Sequence, residues 1–190
     1  KNSLVNKDAY VWYVSASAKK NVIDNENNKR AEGAAYNEEL LYSYTYELGN
    51  DLAKCEECDV LPDAKGRVKP RYAEFLKMSY MQQYGQFYNA GAYYYGNEDY
   101  EKAYDLFKMF IDTADKLYKL EVMPKDTINV PVAAYNMALC GMQMEDYANA
   151  YSFYAYAFQL GGEADVALSD KAMAMHEKAM QAEITYYEQI

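Results

Sequence analysis

The chain has 190 residues and a formal net charge of −10. This charge argues against nucleic acid or an anionic membrane surface as a partner, because both would repel it. An apolar fraction of 51% excludes a wholly disordered chain, and the presence of only 9 Gly and 4 Pro argues against strands joined by tight turns. No apolar run in the sequence reaches the length of a transmembrane helix.

The first predicted unit covers about residues 7–58. Segment 7–20 is predicted to form its first helix, and the polar, Asn-rich segment 21–30 is predicted to be a loop or a frayed turn. Helical periodicity returns over 34–58, where the apolar stripe consists of Leu40, Leu41, Tyr44, Leu48, Leu52 and Cys55. Segment 59–70 contains two Pro and one Gly and is predicted to be a solvated, locally basic linker; a loop that contacts a partner is the less favoured interpretation.

The second and third predicted units cover about residues 71–119 and 127–160. A long helix over 71–95 is followed by a turn at 96–99, and Asp99 is placed to cap the next helix. Asp146 has the same place in the third unit, and Gly161-Gly162 is expected to end it. Residues 165–190 are predicted to form one terminal helix, rich in Ala and Met, which either covers the open end of the array or begins a further repeat.

Two stretches of these units, 87–110 and 134–157, align without gaps. The aligned pairs are 47 positions apart, and they include Tyr88 with Tyr135, Asn89 with Asn136, Gly91 with Ala138, Tyr100 with Tyr147 and Ala103 with Ala150. A fixed period of this size predicts a stacked helical array. The small residues of the pattern are expected where paired helices approach closely, and the aromatic residues are expected to fill the space around them.

This alternation of small and large residues resembles the tetratricopeptide repeat, although the usual Gly-Asp-Tyr turn is Glu-Asp-Tyr in both copies. The resemblance is strongest over about 84–160. It implies an all-α fold, a right-handed α-α superhelix of about three helical hairpins plus a C-terminal helix. The whole of 1–190 would then be one repeat domain. The start at Lys1 instead of Met favours a fragment of a longer protein.

In the repeat family the concave face commonly binds an extended peptide. Carried over position by position, the resemblance implies contact residues at Tyr13, Tyr88, Asn89, Tyr95, Tyr135, Asn136, Leu139 and Met142. An amide side chain both donates and accepts hydrogen bonds, so Asn89 and Asn136 can match a peptide backbone of any sequence. An inter-helix hydrogen bond within the array is an equally favoured role for the two Asn. The 23 Tyr have two interpretations as well, packing between helices being favoured over an aromatic binding surface.

The sequence offers no set of residues that indicates catalysis. Its one histidine, His176, is expected at the surface, and no Gly-rich phosphate loop is present. Cys55 and Cys58 have C-x-x-C spacing, but with one histidine elsewhere they do not make a zinc site, and they are interpreted as incidental thiols together with Cys140. We therefore expect no enzyme activity, no metal and no cofactor.

The favoured function is a non-catalytic interaction module or scaffold with a protein or peptide partner. Two alternatives stay open: a structural spacer or self-association region of a larger protein, and a glycan-binding surface built from aromatic residues. Bacterial proteins with similar divergent repeats are often envelope proteins. That resemblance implies the bacterial cell envelope or periplasm, with the cytoplasm as the alternative.

Overall fold

The protein is all-helical. The computed structural model describes residues 7–63, 65–161 and 166–189, and no strand occurs within those ranges. The described helices, in chain order, are α1 (Ala9–Ala31), α2 (Glu38–Asp59), α3 (Ala73–Gly96), α4 (Tyr100–Lys119), α5 (Asn129–Gln143), α6 (Tyr147–Gly161) and α7 (Val166–Glu188). The predicted all-α class is therefore confirmed. Of these helices, none is both long enough and apolar enough to cross a membrane.

The chain divides into two compact units, Lys1–Gln86 and Phe87–Ile190. The boundary falls within α3, so the first part of this helix belongs to one unit and the rest to the other. In the first unit α1 packs along α2, and the ammonium group of Lys19 lies 2.6 Å from a carboxylate oxygen of the buried Asp51. In the second unit α5 packs against α4 and α6, and α6 packs against α7.

The predicted loop over 21–30 is wrong, because α1 continues without a break to Ala31. The buried face of α1 explains the difference: Ala9, Ala16 and Ile23 follow one another at intervals of seven residues, and all three are buried. The asparagines of segment 21–30 have low helix propensity, but the burial of a helix face contributes more than local propensity does. The turn between α1 and α2 is thus confined to residues 32–37.

Two buried carboxylates fix the connections of the first unit. Glu26 accepts a hydrogen bond of 2.7 Å from the backbone N–H of Asn37, the residue that caps α2. Two hydrogen bonds lower the pKa of Glu26: the one from Lys29 has the larger effect, and the one from the backbone N–H of Asn37 has the smaller effect. Asp59 accepts hydrogen bonds from the backbone N–H groups of Arg71 and Tyr72, at 2.9 and 2.8 Å, just before α3 begins. Asp59, the last residue of α2, thus holds the two ends of the polar linker close together.

The turns of the second unit repeat as the sequence predicts. Asp99 accepts from the backbone N–H of Lys102 at 3.2 Å, and Asp146 accepts from that of Asn149 at 3.3 Å. Glu98 and Glu145 precede these caps and have positive φ angles of 62° and 58°. Positive φ costs a non-glycine residue free energy. This cost is the physical reason why the usual turn of the resembled repeat has a glycine where this chain has Glu98 and Glu145.

Small residues mark the closest helix contacts of the second unit. A Cβ atom added at Gly141 of α5 would lie 3.2 Å from the backbone of Ala150 in α6. A Cβ atom added at Gly91 of α3 would lie 2.9 Å from the ring of Phe107 in α4. The buried cluster around the first of these contacts consists of Ala134, Tyr135, Ala138, Ala150, Tyr154, Ala157, Ala172 and Ala179.

Two predictions concern the last two helices of the chain. Helix α6 ends at Gly161; Gly162, which was expected to end it together with Gly161, lies outside the described residues. His176 of α7, predicted at the surface, is half-buried, and its ring packs edge-on against Tyr151 of α6. Its Nδ1 atom lies 2.9 Å from the carbonyl oxygen of Tyr151, so Nδ1 carries the proton and donates it.

The close contact at Gly141 generates a matched prediction with Gly85, a helical glycine of α3 that has open space where its Cβ would be. We expect Gly85→Ala to raise the free energy of unfolding by about 0.5–1 kcal/mol, because alanine favours the helix. We expect the free energy of unfolding of Gly141→Ala to be about 1–3 kcal/mol lower than that of Gly85→Ala, because the methyl group added at residue 141 meets backbone atoms of α6. Urea unfolding of the two variants measures the difference. Equal effects would show that α5 and α6 are free to move apart at this point.

Candidate functional site

Two of the predicted contact residues are joined by a hydrogen bond in the second unit. The side-chain amide of Asn136 in α5 donates to the hydroxyl oxygen of Tyr88 in α3 at 3.1 Å. The ring of Tyr88 packs edge-on against Phe107 and Phe110 of α4, with 5.4 Å between ring centroids in both pairs. Tyr88 and Asn136 are both half-buried, so each keeps part of its side chain at the surface. The bond is the inter-helix role that the sequence analysis left open for Asn136.

Asn89 and Tyr95 lie on the same half of α3. Asn89 is exposed and makes no side-chain hydrogen bond to the part of the chain that the structure describes. Tyr95 is half-buried, and its ring packs edge-on against Tyr100 with 5.4 Å between ring centroids. The pKa of Tyr95 is raised, mainly by burial. Helix α3 thus presents the free amide of Asn89 and the partly exposed ring of Tyr95, which is held by its contact with Tyr100.

The α5 residues Leu139 and Met142 are half-buried and pack against the buried alanine cluster. We call the half-buried and exposed contact residues of α3 and α5 the α3–α5 surface, and its members are Tyr88, Asn89, Tyr95, Asn136, Leu139 and Met142. It combines apolar side chains, tyrosine rings and two amides. No charged side chain is among them.

Tyr135 aligns with Tyr88 in the repeat but has a different environment. It is only 4% exposed, and its ring lies 5.2 Å from that of Tyr154. The ammonium group of Lys171 in α7 lies 4.8 Å from the ring centroid, within the range of a cation–π contact. A peptide would have to displace Lys171 to reach this face of the ring. The structure thus places Tyr135 in the core cluster instead of on the α3–α5 surface.

Tyr13, the remaining predicted contact residue, belongs to the first unit. Its ring stacks on Tyr72 at 4.6 Å and meets Phe75 edge-on at 4.7 Å. These two neighbours cover much of the ring and leave it half-buried. The small aromatic cluster packs the start of α3 against α1.

The cysteines are poor nucleophiles at neutral pH. Burial raises the pKa of the Cys55 thiol to about 11 and that of Cys140 to about 12. Burial also raises the pKa of Cys58. Because the thiolate is the reactive form, the thiols remain protonated and unreactive. Within the described ranges, no group of His, Cys, Asp and Glu side chains is arranged to hold a metal ion.

The structure contains a pocket that the sequence analysis missed. It has a volume of about 310 Å³ and lies between the second half of α4, the loop 120–128, the start of α5 and the end of α6. Its apolar lining comes from Ile111, Val130 and Leu160, and two partly exposed tyrosines, Tyr118 and Tyr156, line it as well. Three separate segments supply these residues, so no spacing pattern in the sequence could reveal the pocket.

Helix α7 has a row of exposed apolar side chains. Met173, Met180, Ile184 and Tyr187 are between 38% and 65% exposed. Their spacing of seven, four and three residues places them along one side of the helix. The adjacent side, about 100° around the helix, carries Ala172 and Ala179, which are fully buried against the core of the second unit.

Comparison with known proteins identified no relative. No family model matches the chain, and no match was found among curated proteins or among solved structures.

The bond between Asn136 and Tyr88 generates a double-mutant test. We expect Tyr88→Phe and Asn136→Ala to show a coupling energy of about 1 kcal/mol in urea unfolding, because each removes the same hydrogen bond. The matched control is Tyr88→Phe with Asn89→Ala, for which we expect additive effects since Asn89 has no such bond. A coupling near zero for the first pair would contradict the observed contact.

Proposed function

We propose that the chain is a tetratricopeptide-like, non-catalytic interaction module that binds an extended peptide segment. The supporting features are the 47-residue repeat, the alternation of helices and short turns, and the equivalent aspartate caps of α4 and α6. In this proposal α1 with α2, α3 with α4 and α5 with α6 are the three hairpins of a right-handed superhelix. Helix α7 is the terminal helix that covers the last hairpin.

The hydrogen bond between Asn136 and Tyr88 is the observation that carries the proposal. It joins the two first helices of neighbouring hairpins and holds the Tyr88 ring in one orientation, half at the surface. A ring that is fixed in advance loses little conformational entropy when a ligand binds. Asn89 lies beside it with an unused amide, which can pair with both the N–H and the C=O of a peptide backbone.

The composition of the α3–α5 surface favours apolar or basic peptide segments. Tyr88 and Tyr95 offer ring faces and edges, and Leu139 and Met142 offer apolar contacts. Aromatic rings attract both apolar groups and cations, and the net charge of −10 adds a general attraction for a basic peptide. One version of the tetratricopeptide repeat binds the C-terminal carboxylate of its partner with Lys and Arg side chains. This mode is disfavoured here, because the corresponding positions carry uncharged residues: Tyr88, Ala92, Tyr135 and Leu139.

An array of synthetic peptides tests the proposal. The array is probed with the wild-type chain, and the affinity of each selected peptide is measured in solution by fluorescence anisotropy. We expect selected peptides to be rich in apolar and basic residues, and Asn89→Ala to weaken binding about fivefold, the equivalent of one lost hydrogen bond. Tyr95→Ala is expected to weaken binding by a similar factor or more, because it removes an aromatic contact.

The matched control is Asn21→Ala, which removes an exposed asparagine from α1 in the first unit. It should leave the affinity unchanged. Equal losses for Asn21→Ala and Asn89→Ala, or peptides that bind all variants with equal affinity, would rule out the α3–α5 surface as the binding site.

A second candidate function is self-association through α7. The exposed row of Met173, Met180, Ile184 and Tyr187 supports it, since exposed apolar side chains on one side of a helix favour pairing with another apolar surface. In this candidate the chain acts as a spacer that assembles with a second copy.

Analytical ultracentrifugation over a range of concentrations tests this candidate. We expect the wild type to dimerise and Ile184→Glu to remain monomeric, because a charge in the row would be buried without a partner. Lys178→Gln is the control, since Lys178 is an exposed residue of the same helix outside the row and its replacement changes the net charge by the same amount. A wild type that stays monomeric at every concentration would exclude self-association and leave the peptide-binding proposal untouched.

A further inference from the structure

The pocket between α4, α5 and α6 has the size and lining of a site for a small molecule. Its volume of about 310 Å³ lies at the lower end of the range of roughly 300–1,000 Å³ that is usual for ligand pockets. Such sites combine an apolar lining with a few polar groups that orient the ligand. Here Ile111, Val130 and Leu160 provide the apolar part, and Tyr118 and Tyr156 add aromatic surface.

The two carboxylates of the pocket already have partners within the protein. Asp115 forms an ion pair with Lys119, with 2.6 Å between ammonium nitrogen and carboxylate oxygen. Asp126 accepts the backbone N–H groups of Ile128 and Asn129 at 3.0 and 2.7 Å, and the side-chain amide of Asn129 at 2.9 Å. Neither carboxylate is therefore left to select a cationic ligand.

Lys125 is different from these two aspartates. It lines the same pocket, and its ammonium group makes no ion pair or hydrogen bond to any described residue. Thr127 and Gln159 also line the pocket and carry polar groups that can donate hydrogen bonds. The uncommitted charge of the pocket is thus positive, and it stands beside an apolar, aromatic interior.

We propose that this pocket binds a carboxylate that carries a compact apolar or aromatic group. The carboxylate pairs with Lys125 and accepts hydrogen bonds from Thr127 or Gln159, and the apolar group occupies the space lined by Ile111, Val130 and Leu160. The pair is charge-assisted, so it contributes more than a neutral hydrogen bond would. The negative charge of the whole chain does not prevent this, because interactions beyond about 8 Å are screened at physiological ionic strength.

This site is separate from the α3–α5 surface, and the proposal does not rest on peptide binding there. The same chemistry has two sources: a free organic acid, or the C-terminal residue of a peptide. Both present a carboxylate next to an apolar group, and the experiment below distinguishes them.

Three probes of equal shape test the charge requirement: 3-phenylpropanoate, 3-phenylpropanamide and 3-phenylpropylamine. Each is titrated into the isotopically labelled protein at 150 mM salt, and amide chemical shifts are followed by NMR. We expect saturable shifts centred on residues 125–130 and on Leu160 with the carboxylate. The amide and the amine are expected to bind about tenfold more weakly or not at all.

Lys125 is tested by three variants. We expect Lys125→Met to weaken binding of the carboxylate about tenfold, and Lys125→Arg to retain it because the positive charge remains. The control is Lys108→Met, which removes the same charge from an exposed position of α4 that does not line the pocket. This control should bind like the wild type.

A tripeptide that ends in phenylalanine, with a free or an amidated C terminus, separates the two sources. Stronger binding of the free tripeptide than of 3-phenylpropanoate assigns the site to peptide C termini, and the reverse order assigns it to free organic acids. The proposal is overturned if no probe gives saturable shifts, if the amide or the amine binds as well as the carboxylate, or if Lys108→Met weakens binding as much as Lys125→Met does. None of these outcomes depends on Asn89 or Tyr95, so the two proposals fail independently.

Discussion

The helices of the second unit pack as they do because small side chains line the places where their backbones meet. Gly141 of α5 faces the backbone of Ala150 in α6, and even one methyl group there would lie at 3.2 Å. Buried alanines of α7, such as Ala172 and Ala179, extend the same cluster. The fully buried ring of Tyr154 fills space within the same cluster. The positions of the candidate binding residues follow from this spacing.

Carboxylates at the helix ends provide the second constraint. Glu26 and Asp59 bind backbone N–H groups across the turns of the first unit, and Asp99 and Asp146 cap helices of the second. Each satisfies donors that the first turn of a helix leaves without partners. The helices therefore begin at fixed residues, which sets the register in which their side chains meet.

These constraints produce two surfaces of different chemistry. The α3–α5 surface is uncharged, and its tyrosine rings are fixed by neighbours while the amide of Asn89 is unused. The pocket beside Lys125 is lined by apolar and aromatic side chains, and its aspartates have partners within the protein. The two proposals, an extended peptide at the first and a compact carboxylate at the second, follow from this difference in chemistry.

The sequence by itself determined the helical class, the turns at 96–99 and 144–146 and the two aspartate caps, because these depend on residues close together in the chain. Only the tertiary structure decided the rest. The Asn-rich part of α1 is helical because Ile23 is buried against other elements. Tyr88 and Tyr135 hold equivalent positions, yet Lys171 covers only Tyr135. Burial and charge pairing at these places are set by neighbours distant in sequence, which a local pattern does not encode.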